Sequence, residues 1–559
     1  MGSIFKLSII GMLVATILAC AQPAQQGGTG GGQTPAQEPK YGGMLHYAAS
    51  GIAPNVHPFT AAASGTDIVV GPVYEPLLKT YLIGEATDAT PENGMGPWLA
   101  ESWTNPNPTT YIFKIRQGVK WQDGKDFTAE DVVFTWDYLL KNKGQFTKAS
   151  DLSGVQSFRA IDTYTVELVS KAPNADFLQK VSARNSIVMI PKHLVEAGAD
   201  LTKVSMGTGP FKVKDFNTAR GVVHVKNEHY WMKDMPYLDG IIGFYNMDRS
   251  AMIAAMTVGQ MDIFNPDNEP QFEVVQSGVP NLGYASYAQQ QHNSLLPKLT
   301  QAPFNDLRVR QAMNLAIDRQ TLNTTLSKGK GIIHPPGVVG WLTGFALPQE
   351  ELLKRPGFNP ATKQQDIAEA KRLLAEAGYP NGFNTSVVYN GQNSATPPIV
   401  EIVATQLKAI GINVTIKPLE NNLYNDQARL KGNFEIDVSA GGNANFGSTL
   451  LVKFHSKGAD NKTGLADPVL DELIEKQAVT LDQKERQKIM HDIQRRMLDN
   501  AYLMPTIDSE GYTTWQPWVH NYVYTRGPQI KPSYQPPVLW LDTSMLSEGR
   551  LKEDAAAIK

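Results

Sequence analysis

Cysteine is nearly absent from this 559-residue chain, which contains only one, Cys20. A single cysteine cannot form a disulfide within the chain, so stability has to come from the hydrophobic core. The length is sufficient for two to four domains of about 100–200 residues each, and domains of that size fold without crosslinks.

A hydrophobic run of transmembrane length is also absent. The uncharged apolar run at residues 7–19 is shorter than the roughly 20 residues that a membrane-spanning helix needs. Because Lys6 precedes it, this run is typical of a secretory signal peptide. We predict that residues 1–19 are a signal peptide and take no part in the fold.

The single cysteine follows directly after that run. Ile17-Leu18-Ala19-Cys20 resembles a bacterial lipobox, which implies that Cys20 is lipidated. Residues 20–40 are rich in Gly, Pro and Gln and cannot bury a core, so they predict a flexible tether. This pattern predicts a protein anchored on the extracytoplasmic face of the membrane, on its periplasmic or extracellular side. An ordinary signal peptide or a buried structural cysteine are the alternatives.

Neither sign of charge dominates the chain, whose formal net charge is -3 at pH 7. This balance offers no basic surface for nucleic acid, and no polybasic helix suggests adsorption to anionic lipid. We expect a monomer whose partners are a small solute and another protein, with no nucleic acid.

Catalytic signatures are missing as well. The sequence has no Gly-x-Ser-x-Gly, no Walker A motif and no His-Glu-x-x-His. His224 and His229 lie five residues apart in a strand-like stretch, which places them on opposite faces. We therefore expect no catalytic residues, no metal and no cofactor. A meeting of His46, His57 and His292 near a cleft is the alternative left open.

Strand, turn and helix signals follow one another in the first half of the chain. Residues 110–116 alternate apolar and polar side chains and predict a half-buried strand. Asp123-Gly124 predicts a turn, and Thr128 with Asp131 predicts the start of a helix.

The second half shows the same alternation. Asp366 with Glu369 predicts a helix N-terminus. Residues 383–417 predict a strand, a helix and a second strand, which is a βαβ unit. The chain as a whole is therefore predicted to be α/β.

Several segments occur in an order that resembles one family. They are LAESW (99–103), GVKWQDGKDFTAEDVVFTW (118–136), GTGPF (207–211), NEHYW (227–231), GQMD (259–262), PFNDLRVRQAMNLAIDR (303–319) and YPNGF (379–383). This series is similar to that of the family 5 extracellular solute-binding proteins, which serve ABC importers. The resemblance implies that the chain passes a solute to an ABC permease and is not an enzyme.

The resemblance also implies the architecture, a two-lobe periplasmic-binding-protein clamshell with crossover strands at the hinge and an extra subdomain in the first lobe. The predicted divisions are residues 41–84, 205–297 and 511–559 for the first lobe, 85–204 for the extra subdomain, and 298–510 for the second lobe.

The polar segment YAQQQHNSL at residues 287–295 is predicted to be the first crossover. Its amides can donate to and accept from a polar ligand, although a solvated edge strand would have the same composition. In oligopeptide binders of the family, an aspartate of the second lobe meets the ligand's ammonium. The matching segment FEIDVSAGGNANFG (434–447) has asparagines there, and Asp437 is expected to be too early and to end the preceding strand.

We predict ligand contacts from Tyr74, Gln289, Gln291, His292, Trp341, Asn443, Asn445, Phe446 and Trp515. Family frequency favours an oligopeptide as the ligand. The missing aspartate and the many aromatic rings keep an oligosaccharide or another polar solute open. A secreted hydrolase and a sensory or chaperone-like binding module are the alternatives from other functional classes.

Overall fold

The computed structural model describes residues 38–49, 51–60, 64–80, 95–182, 187–245, 247–288, 293–333, 335–336, 345–393, 396–440, 446–522 and 538–559. The predictions for the signal peptide, Cys20, most of the tether, Gln289, Gln291, His292, Trp341, Asn443 and Asn445 lie outside these residues.

The chain starts the first lobe, makes an excursion into a subdomain and then returns. The elements up to this return are β1 Met44–Ala48, α1 Ser64–Val70, β2 Leu78–Thr80, β3 Met95–Pro97, β4 Ala100–Asn107, β5 Thr110–Ile115, α2 Ala129–Lys141, β6 Val155–Asp162, β7 Thr165–Ser170, α3 Phe177–Ser182 and α4 Lys192–Glu196. The returning elements are β8 Phe211–Asn217, β9 Gly221–Lys226, β10 Gly240–Phe244, α5 Arg249–Thr257, β11 Ile263–Phe264, α6 Glu269–Gly278 and β12 Gly283–Ala288.

The subdomain is built on an antiparallel sheet in the order β4-β5-β7-β6. The strand expected at residues 110–116 is confirmed as β5, whose buried Phe113 packs with Trp136 of α2. Thr128 is the N-cap of α2, as predicted, and its backbone N–H donates to Asp131 Oδ2 at 2.9 Å. The subdomain shares one continuous core with the start of the first lobe, so the two pack as one unit.

The second lobe follows β12. Its elements are β13 Asn293–Pro297, α7 Leu307–Ala316, α8 Arg319–Ser327, α9 Gln349–Leu353, α10 Lys363–Glu376, β14 Phe383–Asn390, α11 Thr396–Lys408, β15 Ile412–Leu419, α12 Asn421–Tyr424, β16 Ile436–Ala440, α13 Phe446–Lys453, α14 Pro468–Val479, α15 Gln483–Asp499 and β17 Met504–Pro505. A π-helical turn at Asn425–Leu430 continues α12.

The predicted βαβ unit is confirmed. β14 and β15 pair in parallel and α11 connects them, burying Val400, Val403 and Leu407 against the sheet. The five strands lie in the order β15-β14-β16-β13-β17. Because β13 pairs with β16 and β17, we propose to place the lobe boundary between β12 and β13, before residue 293 rather than after residue 297.

The predicted N-terminus of the helix near Asp366 is wrong by about one turn. A 3₁₀ turn at Pro360–Thr362 leads into α10, which begins at Lys363 with Thr362 as N-cap. The Asp366 carboxylate instead turns back and accepts the Gly357 N–H at 3.2 Å. Residue spacing alone cannot distinguish an N-cap side chain from one that accepts a hydrogen bond from the preceding loop.

The chain finally returns to the first lobe. The closing elements are β18 Glu510–Trp515, β19 Val519–His520, β20 Trp540–Leu541 and α16 Glu548–Ile558. Buried charges attach α16, since Arg550 donates to Asp262 Oδ2 at 2.8 Å and His46 Nε2 lies 2.9 Å from Asp554 Oδ1. Both ends of the described chain are thereby held in the first lobe.

Candidate functional site

Two crossover segments join the lobes. β12 pairs with β18 in the first lobe, whereas β13, which follows it in the chain, pairs with β16 and β17 in the second. The return crossover runs from β17 to β18. Two strand connections between rigid bodies form a hinge, so the space beside them is the expected ligand cleft.

A polar cluster links the lobes near the return crossover. Lys330 of the second lobe lies 3.4 Å from both Glu269 and Glu510, and 3.2 Å from the Tyr512 hydroxyl. Tyr512 is buried and stacks on Phe272, with 3.9 Å between ring centroids. This cluster connects the two lobes beside the hinge.

A second contact joins the subdomain to the second lobe. Arg486 of α15 donates to Asp176 Oδ1 at 2.5 Å, and both side chains are less than a tenth exposed. The Ala175 N–H donates to the Ala478 carbonyl at 2.8 Å. At Gly447 an added Cβ would lie 2.1 Å from Asp176 Oδ2, so only glycine admits this approach. The lobes therefore meet through a buried ion pair in addition to the hinge, which is a closed arrangement.

The second lobe contains a cavity of about 310 Å³ at the ends of its parallel strands. Asn390 ends β14, and β16 contributes Asp437 and Ser439. Ligands of open α/β sheets bind at the carboxyl ends of the strands. The polar and charged residues of its wall are Asn390, Asn393, Thr396, Tyr424, Arg429, Asp437, Ser439, Lys453, Asp460, Lys462 and Thr463.

The alternation of β16 explains why a carboxylate enters this wall. Ile436 and Val438 face the main core of the lobe, so Asp437 and Ser439 have to point to the opposite face. On that face Tyr424 packs in a small apolar cluster, and its hydroxyl donates to Asp437 Oδ1 at 3.0 Å. Asp437 does not end the strand as expected but lies within it.

Burial dominates the electrostatics of Asp437. Removal from water raises the pKa of its carboxyl to about 6, although Ser439, Tyr424 and the positive charge of Lys453 act in the opposite direction. Burial also lowers the pKa of Lys453. The cavity thus holds ionisable groups in surroundings that disfavour their charge.

This environment predicts a pH-dependent stability effect. The pKa of Asp437 in the folded protein lies above its ordinary value, so the folded state binds the proton more tightly than the unfolded state does. Ionisation of Asp437 therefore lowers the free energy of unfolding above about pH 6. This loss disappears as the pH falls toward about 4. We expect Asp437→Asn to stabilise the protein by about 1–3 kcal/mol at pH 8, since one pKa unit corresponds to about 1.4 kcal/mol.

Urea unfolding of both proteins at pH 8 and pH 4.5 measures this difference. The gain from the substitution should shrink at the lower pH. A variant that is less stable than wild type by the same amount at both pH values would contradict the role given to burial.

Only three of the predicted ligand contacts fall on described residues. Tyr74 is buried in the first-lobe core, and its hydroxyl accepts the Met206 N–H at 3.1 Å. Trp515 ends β18 opposite Gly283, at the end remote from the crossover, and packs on Tyr522. Phe446 begins α13. The geometry brings neither Tyr74 nor Trp515 to the cavity, so we leave both out of the proposed site.

The described histidines do not assemble a site either, and His292 lies outside the described residues. His46 contacts Asp554, whereas His57 stacks on Phe146 and lies 3.3 Å from the Tyr138 hydroxyl. Within the described part of the chain, no three His, Cys, Asp or Glu side chains are placed to hold a metal ion.

Sequence reasoning missed Tyr424, Lys453, Asp460 and the Asp176–Arg486 pair. A charged residue between the apolar Ile436 and Val438 was the available signal for Asp437. The local sequence around the partner residues, which lie on other helices and loops, contains no pattern that predicts their place in the site.

Two lobes joined by paired crossovers, with a polar cavity at the strand ends of one lobe, define the class of two-lobe periplasmic binding proteins. Solved structures share this fold. The ABC transporter substrate-binding protein CtaP of Listeria monocytogenes has a TM-score of 0.76 at 23% identity and covers 90% of this chain and 100% of its own. The oligopeptide-binding protein AppA of Bacillus subtilis, in complex with a nonapeptide, has a TM-score of 0.69 at 21% identity with the same coverage.

The chain belongs to the bacterial extracellular solute-binding proteins of family 5, because the model described as family 5 Middle matches residues 94–461. The resemblance found in the sequence is thereby confirmed. The family is one of extracytoplasmic solute-binding proteins rather than of enzymes. Among the described residues, no helix combines the length and apolar character that crossing a membrane requires.

Curated relatives match over a shorter part of the chain. The glutathione-binding protein GsiB of Salmonella paratyphi A is 27% identical over 345 residues, which is 61% of this chain and 64% of that protein. The chain therefore spans slightly less than two thirds of the length of this relative in the match.

Proposed function

We propose that this protein captures an oligopeptide between its two lobes and delivers it to an ABC permease. The observation that carries the proposal is the polar cavity at the strand ends of the second lobe, in a molecule whose lobes are joined by two crossovers. Closure of lobes excludes water, which strengthens each polar contact to an enclosed solute. The closed surface is then what the permease recognises.

A peptide is the favoured solute on two grounds. GsiB is named as a glutathione-binding protein and AppA was solved with a nonapeptide. The cavity wall also offers both charged and amide groups, which match the charged ends and side chains of peptides.

We further propose that lipidated Cys20 and the tether at residues 20–40 keep the protein beside the permease on the extracytoplasmic face. A short tether raises the effective concentration of the receptor near its partner. In this role the protein binds without chemical turnover of the solute.

The test is a thermal-shift screen of the protein with peptide pools, disaccharides and trisaccharides. A ligand at about 100 times its Kd adds about 2.7 kcal/mol of stability, which a melting curve resolves. We expect shifts with peptides of two to five residues. A shift with saccharides and none with peptides would contradict the proposed ligand class, and turnover of any of these compounds would contradict a pure binding role.

Lobe closure gives a prediction for Asp176→Asn. The substitution leaves the Arg486 charge buried without its ionic partner only while the lobes are closed. We expect the Kd for a bound peptide to rise about 10- to 100-fold, equivalent to about 1.4–2.8 kcal/mol, while the melting temperature without ligand changes little. Calorimetric titration measures the first quantity and thermal melting the second.

Two variants serve as controls. Asp137→Asn removes an exposed subdomain carboxylate paired with Lys141 and should leave the Kd unchanged. Combining Asp176→Asn with Arg486→Gln removes both charges and should restore part of the affinity. An unchanged Kd for Asp176→Asn together with a lowered melting temperature would show that the pair only supports the fold.

A further inference from the structure

A buried glycine occupies the second position of α13. Gly447 belongs to the helix Phe446–Lys453, and its φ does not lie in the left-handed region that favours glycine. Glycine is among the weakest helix formers, so alanine would suit this backbone better. The reason for a glycine here therefore has to lie in its surroundings.

The atoms that exclude a side chain at this position come mainly from the other lobe. Outside its own helix, the atoms nearest to a Cβ added to Gly447 are Asp176 Oδ2 at 2.1 Å, Asp176 Cγ at 3.0 Å and Arg486 Nη2 at 3.1 Å. Non-bonded carbon atoms prefer about 3.5–4.0 Å, so the carboxylate would overlap the added group. Asp176 belongs to the subdomain of the first lobe and Gly447 to the second lobe. The overlap therefore arises only when the lobes meet.

The Asp176 carboxylate cannot turn aside at little cost. Its Oδ1 accepts from Arg486 Nη2 at 2.5 Å, and Gln477 Oε1 accepts from the same guanidinium at 3.0 and 3.2 Å. Both charged side chains are buried, so a rotation of Asp176 away from Gly447 would leave Arg486 without its counter-charge. The helix dipole also favours a carboxylate at the first turn of α13. Any side chain at position 447 therefore opposes the closed arrangement.

We propose that Gly447 is a positioning residue for lobe closure. The missing side chain lets Asp176 dock on the first turn of α13, and a methyl group at this position holds the lobes apart. The inference rests on the proposed function and adds to it the residue that admits the closed state. A substitution here weakens solute binding by opposing Asp176 rather than the solute, because affinity falls with the fraction of the protein that can close.

The position of α13 explains why this contact matters for binding. Its first turn meets Asp176, whereas Phe454, directly after its last residue, lines the cavity of the second lobe. Leu450 and Phe454 are buried in one core cluster of this lobe, which fixes the helix between the two places. Docking of Asp176 therefore brings the first lobe onto the element that leads to the cavity wall.

The test compares Gly447→Ala with Gly549→Ala. Gly549 is likewise the second residue of its helix, α16, but the nearest atom to an added Cβ there is Ser547 Oγ at 3.9 Å. The two substitutions therefore bring the same gain in helix propensity, and only the first meets another lobe. The probe is the peptide that wild type retains from a proteolytic digest of casein, identified by mass spectrometry and then synthesised.

Calorimetric titration of this peptide should give a Kd about 10-fold or more higher for Gly447→Ala than for wild type. For Gly549→Ala the Kd should stay within about 2-fold of wild type. The melting temperature without ligand should be equal to or above that of wild type for both variants, because alanine is the better helix former. Small-angle X-ray scattering at saturating peptide should give a larger radius of gyration for Gly447→Ala than for wild type.

A double-mutant cycle separates closure from a role within the second lobe. Asp176→Ala removes the carboxylate that the added methyl group would meet, so Gly447→Ala in that background should raise the Kd by less than about 2-fold. The same loss in both backgrounds would show that the glycine serves its own lobe and would overturn the inference.

A wild-type Kd for Gly447→Ala would overturn the inference as well and leave the proposed function standing. So would a melting temperature of unliganded Gly447→Ala well below that of wild type and of Gly549→Ala, since the glycine would then be required by the fold of α13 itself. A wild-type protein that retains no peptide from the digest would contradict the proposed function and this inference with it.

Discussion

Replacing Glu75 by alanine lowers the free energy of unfolding by about 3–5 kcal/mol, because each buried donor left without an acceptor costs about 1–3 kcal/mol. Glu75 is buried, and its carboxylate accepts four donors: Trp98 Nε1 at 2.8 Å, Thr208 Oγ1 at 2.7 Å, Tyr230 Oη at 3.2 Å and Trp231 Nε1 at 3.2 Å. The two hydroxyls can turn to other acceptors, but the indole N–H groups have no such freedom.

This carboxylate connects Trp98 at the start of the subdomain with the returning first-lobe segment that holds Trp231. Its loss should therefore loosen the joint between subdomain and lobe as well as the fold. Urea unfolding at pH 7 measures the effect. Burial raises the pKa of Glu75, so Glu75→Gln, which keeps one acceptor oxygen without charge, should recover at least half of the loss. An alanine variant as stable as wild type would contradict the assignment.

Replacing Arg319 by methionine lowers the free energy of unfolding by a similar amount, about 3–5 kcal/mol, since hydrogen bonds to a charged group contribute about 1.5–3 kcal/mol each. Arg319 is 1% exposed, and burial lowers its pKa to about 9. It donates to the Pro505 and Gly357 carbonyls, both at 2.8 Å, and to Asn314 Oδ1 at 2.7 Å. Its guanidinium also lies 3.9 Å from the centroid of the Phe358 ring.

The geometry explains why lysine is not equivalent. Arg319 holds three separate parts of the second lobe together through a planar fork, which a single ammonium cannot reproduce. Arg319→Lys should therefore lose about half as much as the methionine variant. Arg372→Met is the control, because Arg372 is an exposed residue of α10 paired with Glu369 and should change stability by less than about 1 kcal/mol. Equal losses for Arg372→Met and Arg319→Met would contradict this account.

The elements that could be predicted from the sequence are those that depend on local residue patterns. The alternation in residues 110–116 and the strand-helix-strand signals of residues 383–417 depend on neighbours a few positions apart, and both are confirmed. The ordered motifs around Trp121 and Arg319 identified the family for a related reason, because they include residues that the core requires.

The site depends on contacts that no local pattern contains. Asp176 and Arg486 are 310 positions apart, and each has an ordinary sequence context. The cavity takes its wall from β14, β16, α13 and the π-helical turn, so its charge balance emerges only when these elements pack together. Tyr74 was expected at the ligand and lies in the core, because an aromatic residue in an apolar run serves both purposes equally well.

Asp437 shows which part of the candidate site could be predicted from the sequence. The segment FEIDVSAGGNANFG contains Asp437, but the resemblance points to its asparagines, because oligopeptide binders of the family have an acid there. The acid that lines the cavity is Asp437, six residues before Asn443, on the face of β16 opposite the core. Which face a side chain takes is decided by strand packing, and this information is tertiary.

The central claim is that the protein encloses one peptide. Native mass spectrometry tests it most directly: the protein is incubated with a proteolytic digest of casein and with a mixture of disaccharides and trisaccharides, freed of unbound solute, and weighed intact before its ligand is released by unfolding. We predict one peptide of a few residues per chain and no saccharide. Saccharide in place of peptide, or a chain that retains neither, would contradict the claim.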